Sequence, residues 1–188
     1  MAEFINTIDS KGDDVVLASI IDGSITEFKD DVIKTIKNMG FCYRANLKNI
    51  ALPNVTQASV YMFFNCTGLT SLYMPNITSI GDRAFQGCTG LTTVDISKVT
   101  SIGDYAFSGC TGLTSLYMPN VTSISGNPPF QNCTGLTSVT FGKKVSLYST
   151  FKNCINLKTI NVPWAEGEVS GAPWGATNAT INYNYTGE

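Results

Sequence analysis

The sequence predicts a β-rich α/β solenoid: short strands joined by short helical turns, in coils of about 22 residues that stack because none can bury its apolar face alone. Three observations predict it. Phe41, Phe63, Phe85, Phe107, Phe130 and Phe151 recur once per coil, the spacing never drifting by more than a single position. Three positions after each of the last five stands a cysteine: Cys66, Cys88, Cys110, Cys133 and Cys154. Finally, the position before each cysteine (Asn65, Gly87, Gly109, Asn132, Asn153) and the second position after it (Gly68, Gly90, Gly112, Gly135, Asn156) hold only Gly or Asn. Those residues tolerate positive φ, so both positions read as left-handed corners of a coil.

Residues 4–8 form a short alternating segment, and Val16, Leu17, Ile20 and Ile21 follow at helical spacing between Asp13 and Gly23. Residues 1–24 are therefore expected to be an N-terminal helical cap that covers the first coil. The solenoid proper is expected over residues 25–163, in about six coils. Its strands are the apolar triplets Leu47/Ile50/Leu52, Leu69/Leu72/Met74, Leu91/Val94/Ile96, Leu113/Leu116/Met118, Leu136/Val139/Phe141 and Leu157/Ile160/Val162. Each triplet reads as one short parallel strand, usually followed by a proline that cannot continue a central sheet. Gly81-Asp82 and Gly103-Asp104 precede Ala-Phe pairs, where the aspartate is placed to cap a single helical turn.

From Trp164 the repeat dissolves, but Trp174 follows Phe151 at one coil length and is expected to fill the aromatic column a last time. Ile181, Tyr183 and Tyr185 alternate with polar residues. Residues 164–188 thus read as a C-terminal cap with a half-buried closing strand.

Apolar residues make up 43% of the chain and charged residues 14%, enough for a continuous core. Residues 1–31 hold eight acids against Lys11 and Lys29, leaving a mildly basic remainder without a clustered basic face, so nucleic acid is not an expected partner. No basic leader with a long apolar stretch opens the sequence, and the short apolar run Val15 to Ile21 cannot span a bilayer. Production in the cytoplasm with display on a surface or a virion is compatible with this, and the sequence leaves the final location open.

The sequence contains no histidine, which removes the commonest general base and metal ligand. No two of the six cysteines come closer than about one coil, so no paired-cysteine metal or redox motif exists. Neither an enzyme nor a cofactor or metal is expected. The column cysteines read as buried free thiols, and Cys42, outside the column, reads as the one more open to solvent.

These residues reach a known family at one stretch above all. Ser79-Ile-Gly-Asp-Arg-Ala-Phe-Gln-Gly-Cys-Thr-Gly-Leu-Thr-Thr-Val94 resembles the BspA-like (Treponema-type) leucine-rich repeats of bacterial surface proteins, and the resemblance covers residues 25–163. The flanks, Glu3-Phe-Ile-Asn-Thr-Ile-Asp9 and Val162 to the end, are similar to repeat proteins carried by gut Firmicutes and their phages. The resemblance implies a right-handed solenoid with its parallel sheet on a concave face. It also implies a non-enzymatic recognition module that binds protein or glycan, with host-surface adhesion the usual role. A structural part of a phage tail or virion is the alternative.

The outward strand positions carry mostly Thr and Ser, the ordinary choice for a solvated sheet face. One position departs from this: Tyr73, Asp95 and Tyr117 occupy the same place in consecutive coils, with Ser71, Thr93 and Ser115 two positions before each. Two rigid amphipathic rings around a carboxylate suit a sugar or a protein loop, so these six are the candidate ligand-binding residues. The chain is expected to be a monomer or an oligomer assembled through its caps.

Overall fold

The structure is a computed structural model that describes residues 7–8, 15–16, 26–36 and 38–187. The chain is a parallel β-solenoid of about seven turns. Its strands are, in order, β1 (Thr7–Ile8), β2 (Val15–Val16), β3 (Glu27–Lys29), β4 (Asn49–Ala51), β5 (Gln57–Ala58), β6 (Ser71–Tyr73) and β7 (Ser79–Ile80). They continue with β8 (Ser101–Ile102), β9 (Ser115–Met118), β10 (Ser123–Ile124), β11 (Ser138–Phe141), β12 (Thr159–Asn161) and β13 (Thr180–Asn182).

The apolar triplets form one face in two sheets. The order β3-β4-β6 aligns Phe28, Ile50 and Leu72, and the order β9-β11-β12-β13 aligns Leu116, Val139, Ile160 and Ile181. The interruption falls on the coil of Val94, where residues 91–96 carry no strand. Its cause is local: Asp95 Oδ1 accepts the Ser97 amide at 3.0 Å, an Asx turn that competes with strand pairing. A second parallel sheet, β5-β7-β8-β10, forms where each coil turns back. There the Thr78 and Thr100 hydroxyls donate to the carbonyls of Thr56 and Thr78, at 3.1 and 3.2 Å, tying each coil to the one before.

The short helical turns expected between strands are not formed; no helix occurs among the described residues. Alternate amides are shared between two destinations. Ala84, Gln86 and Cys88 close tight turns onto Gly81, Arg83 and Phe85, at 3.2, 3.2 and 3.1 Å, whereas Arg83, Phe85 and Gly87 donate to Asp104, Ala106 and Ser108 of the next coil, each at 2.8 Å. A helix would need all of these amides locally. Asp82 likewise caps no helix, since its Oδ1 accepts the Asp104 amide of the next coil at 2.8 Å.

Backbone dihedrals divide the two Gly/Asn columns. Asn65, Gly87, Gly109, Asn132 and Asn153 have φ of 55°, 76°, 74°, 60° and 61°, the left-handed corner read from the sequence. The second column is not left-handed. Its glycines answer to space, because a Cβ on Gly90 or Gly112 would lie 2.7 or 2.6 Å from the carbonyl oxygen of Thr67 or Thr89 in the preceding coil. A further left-handed column, Met39, Tyr61, Arg83 and Tyr105 at φ 65°, 57°, 54° and 54°, carries bulky side chains that give no such signal in sequence.

The core is one continuous apolar cluster, and a column of rings and thiols runs through it. Phe41, Phe63, Phe85, Phe107, Phe130 and Phe151 are each 0% exposed, and successive centroids are 5.1 to 5.8 Å apart with planes within 16° of parallel. Phe28 covers Phe41 edge-on at 5.2 Å. Each column cysteine is also a specific donor. The thiols of Cys66, Cys88, Cys110, Cys133 and Cys154 reach the carbonyls of Phe41, Phe63, Phe85, Phe107 and Phe130 at 2.9 to 3.1 Å. All six cysteines are free and buried; Cys42, expected to be reachable, is 9% exposed against 0 to 2% for the others.

The ends differ from their sequence readings in detail. The helix expected between Asp13 and Gly23 falls outside the described residues except at Val15 and Val16, which pair antiparallel with Ile8 and Thr7. Trp174 is buried, but its carbonyl accepts the Phe151 amide at 2.9 Å as Ala106 accepts that of Phe85. Its backbone thus holds the alanine register rather than the phenylalanine one, and its ring packs against Trp164 at 6.2 Å. Strand β13 pairs in parallel with β12, and from Ile181 to Tyr185 half-buried and exposed residues alternate, with Asn182 and Asn184 exposed.

Candidate functional site

The outward positions of the triplet face bring Ser71, Thr93, Ser115, Tyr73, Asp95 and Tyr117 to one surface, and all six are exposed. Tyr73 stands on β6 opposite Ala51, and Tyr117 stands on β9 opposite Thr140. The two tyrosines are 57% and 60% exposed. Asp95 lies on the coil between them, at the break between the two sheets. The amide and hydroxyl of Ser97 both donate to its carboxylate and hold its pKa below the ordinary carboxylate value, so it is an anion at neutral pH. Lys98, the nearest cation influencing it, sends Nζ to Asn76 Oδ1 at 2.8 Å. No ion pair engages Asp95 among the described residues.

Sequence reasoning missed a groove beside this stripe. Tyr117, Thr140, Pro163, Asn184 and Tyr185 line an open concavity of about 530 Å³. It exists because the C-terminal segment is pinned across the end of the triplet face: Asn184 and Tyr185 donate their amides to Trp164 and Val162 at 3.0 and 2.9 Å. The alternation at Tyr183 and Tyr185 hinted at a closing strand, but nothing local showed that this segment would wall a groove. Along the same face Asn182 donates to Asn161 Oδ1 at 2.7 Å and Asn161 to Thr140 Oγ1 at 2.9 Å, a polar ladder that runs toward the C-terminal end.

No cluster of potential metal ligands occurs among the described residues, and no helix among them is long and apolar enough to cross a membrane. Burial pushes the Cys66 and Cys110 thiols up to about 12, far from the thiolate that nucleophilic chemistry needs. The stripe presents two tyrosines, one anion and a border of hydroxyls to solvent.

Comparison with known proteins bears on the fold. None of the curated proteins matches this sequence significantly. Among solved structures, a leucine rich repeat protein of T. pallidum is 27% identical with a TM-score of 0.61, over 81% of this chain and 72% of that one. A leucine-rich repeat protein from Bacteroides ovatus (21% identity, TM-score 0.52) and the pneumococcal vaccine antigen PcpA (17%, 0.61) share the fold over 84% and 85% of this chain. This chain spans only 35% and 41% of those two longer proteins. The profile of the BspA type leucine rich repeat region matches six copies over residues 34–158. With its stacked phenylalanines, its thiol ladder and its parallel coils over the stretch that profile matches, the chain belongs to the BspA-type leucine-rich repeat family.

Proposed function

We propose that this protein is a non-enzymatic recognition module that binds a protein or glycan through the triplet face, with Tyr73, Asp95 and Tyr117 at the centre of contact and Ser71, Thr93 and Ser115 around them. Leucine-rich repeat proteins are general binding scaffolds that mediate protein interactions, and the reading gives that scaffold its contact residues. The observation that carries it is the exposure of two tyrosines either side of a charged aspartate. An exposed aromatic ring on an otherwise small, polar sheet face leaves apolar area in water that a partner would cover. Tyrosine also loses little conformational entropy on contact.

Host-surface adhesion is the proposed setting, and a structural place in a phage tail or virion is the second reading. The second is favoured by one feature, the parallel edge of β13, which among the described residues pairs with β12 alone. An array of glycans and host-surface proteins, with light scattering on the same sample, separates the two. A ligand retained by the monomer supports recognition. No retention, together with a fixed stoichiometric oligomer, contradicts it in favour of the structural reading.

A further inference from the structure

The chain itself shows what two tyrosines separated by two coils can hold. Tyr61 and Tyr105 stand two coils apart, and Arg83 occupies the same coil position midway between them. The Arg83 Cζ lies 5.5 Å from the Tyr61 ring centroid and 5.4 Å from that of Tyr105, and its Nη1 donates to the Tyr61 hydroxyl at 2.7 Å. Each distance is one coil spacing, close to the 5.2 and 5.1 Å between successive phenylalanines of the same coils. A guanidinium at the level of the middle coil therefore sits equally between rings on the coils to either side. All three residues adopt left-handed φ, of 57°, 54° and 54°, so the stack forms despite backbone strain.

Tyr73 and Tyr117 repeat this spacing on the triplet face: again two coils apart, again one coil either side of a central residue. The central residue here is the short, exposed Asp95, and both tyrosines are more than half exposed. We propose that the Tyr73, Asp95, Tyr117 stripe receives an arginine side chain from a partner protein, its guanidinium lying between the two rings and paired with the Asp95 carboxylate.

The proposal rests on the triplet-face reading above and names the partner group. A guanidinium is planar and weakly hydrated, stacks on aromatic faces and matches a carboxylate with a fork of donors; an ammonium does only the last, as a point charge. The rings supply cation–π attraction from both sides, stronger where water is excluded. Ser71, Thr93 and Ser115 border the slot with hydroxyl oxygens for the remaining N–H groups. The competing cation, Lys98, is tethered to Asn76. The Ser97 hydrogen bonds keep the aspartate charged across the physiological range.

The test follows the tyrosine ring signals of the full chain by NMR while three capped tripeptides are titrated, Gly-Arg-Gly, Gly-Lys-Gly and Gly-citrulline-Gly. The arginine peptide is expected to shift Tyr73 and Tyr117 saturably and to leave the exposed Tyr148 in place. Citrulline, which keeps the plane and loses the charge, is expected to bind at least tenfold more weakly. Asp95→Asn preserves an acceptor for the Ser97 amide and is expected to weaken arginine binding at least fivefold with the melting temperature unchanged. Citrulline or lysine binding equal to arginine overturns the proposal, as does an Asp95→Asn variant that binds like wild type. If a ligand from the array loses affinity in a Tyr73→Ser, Tyr117→Ser variant but is not displaced by the arginine peptide, the arginine assignment fails while the triplet-face reading stands.

Discussion

Phe107→Ala perturbs the column at its centre. The Phe107 ring is fully buried, stacked at 5.1 Å on Phe85 and 5.5 Å on Phe130, and its carbonyl accepts the Cys133 thiol of the next coil at 3.1 Å. Truncating a buried phenylalanine costs about 3 to 5 kcal/mol, and losing two ring pairs, each worth about 0.5 to 1.5 kcal/mol beyond burial, places this site at the upper end. With a urea slope of about 2 to 3 kcal/mol per molar, the unfolding midpoint should fall by about 2 M. Phe41 lies in the first regular coil, yet it is covered on both sides, by Phe28 edge-on at 5.2 Å and by Phe63 stacked at 5.1 Å. Phe41→Ala should therefore also fall within about 3 to 5 kcal/mol. Circular dichroism during urea unfolding measures both. A Phe107→Ala midpoint equal to wild type refutes the stacked column.

Other outcomes follow from the same coils. The Cys110 thiol is held protonated to about pH 12 in the folded chain, whereas an unfolded thiol ionises near about pH 8.5, so between these values the folded state keeps a proton that the unfolded state has lost. Stability contributed by this thiol is thus complete below about pH 8.5 and is lost as pH rises, by about 1.4 kcal/mol per unit. Urea midpoints of wild type and Cys110→Val measured from pH 8 to 10.5 should converge, and parallel curves would refute the assignment. Alkylation of the native protein should leave the column thiols unmodified, and unreduced protein alkylated after unfolding should carry six labels; a mass two hydrogens low per missing pair of labels would reveal a disulfide. Gly90→Ala places a Cβ 2.7 Å from the Thr67 carbonyl oxygen and should cost about 1 to 3 kcal/mol, whereas Gly126→Ala meets nothing within 4 Å and should be neutral or slightly stabilising. Equal melting temperatures for these two variants would contradict the coil contact.

The period, the register of the strands and the cysteine column were legible because repetition turns a weak local signal into a column. The arithmetic that aligned Phe85 with Phe107 also aligned Tyr73 with Asp95 and Tyr117, so the candidate site could be read without knowing how the coils close. What escaped the sequence depends on the neighbouring coil. Gly81-Asp82-Arg-Ala-Phe85 reads as a capped helical start on local grounds, yet the amides of Arg83 and Phe85 are taken by the next coil. The left-handed column at Met39, Tyr61 and Arg83 carries side chains that ordinarily avoid positive φ, and their amides are turned toward carbonyls of the next coil, which no local pattern announces. The groove beside Tyr117 needs residues 184 and 185 to return across the face, a long-range arrangement with no periodic trace.

The most direct test of recognition through the triplet face is the affinity of a Tyr73→Ser, Tyr117→Ser variant for the ligand the array returns, measured by calorimetry beside wild type and a Tyr148→Ser control. Removing two exposed anchors of about 1 to 2 kcal/mol each should weaken binding by at least tenfold while the melting temperature and the control stay unchanged. An affinity equal to wild type would contradict the account, removing both tyrosines from the contact and leaving the structural reading ahead.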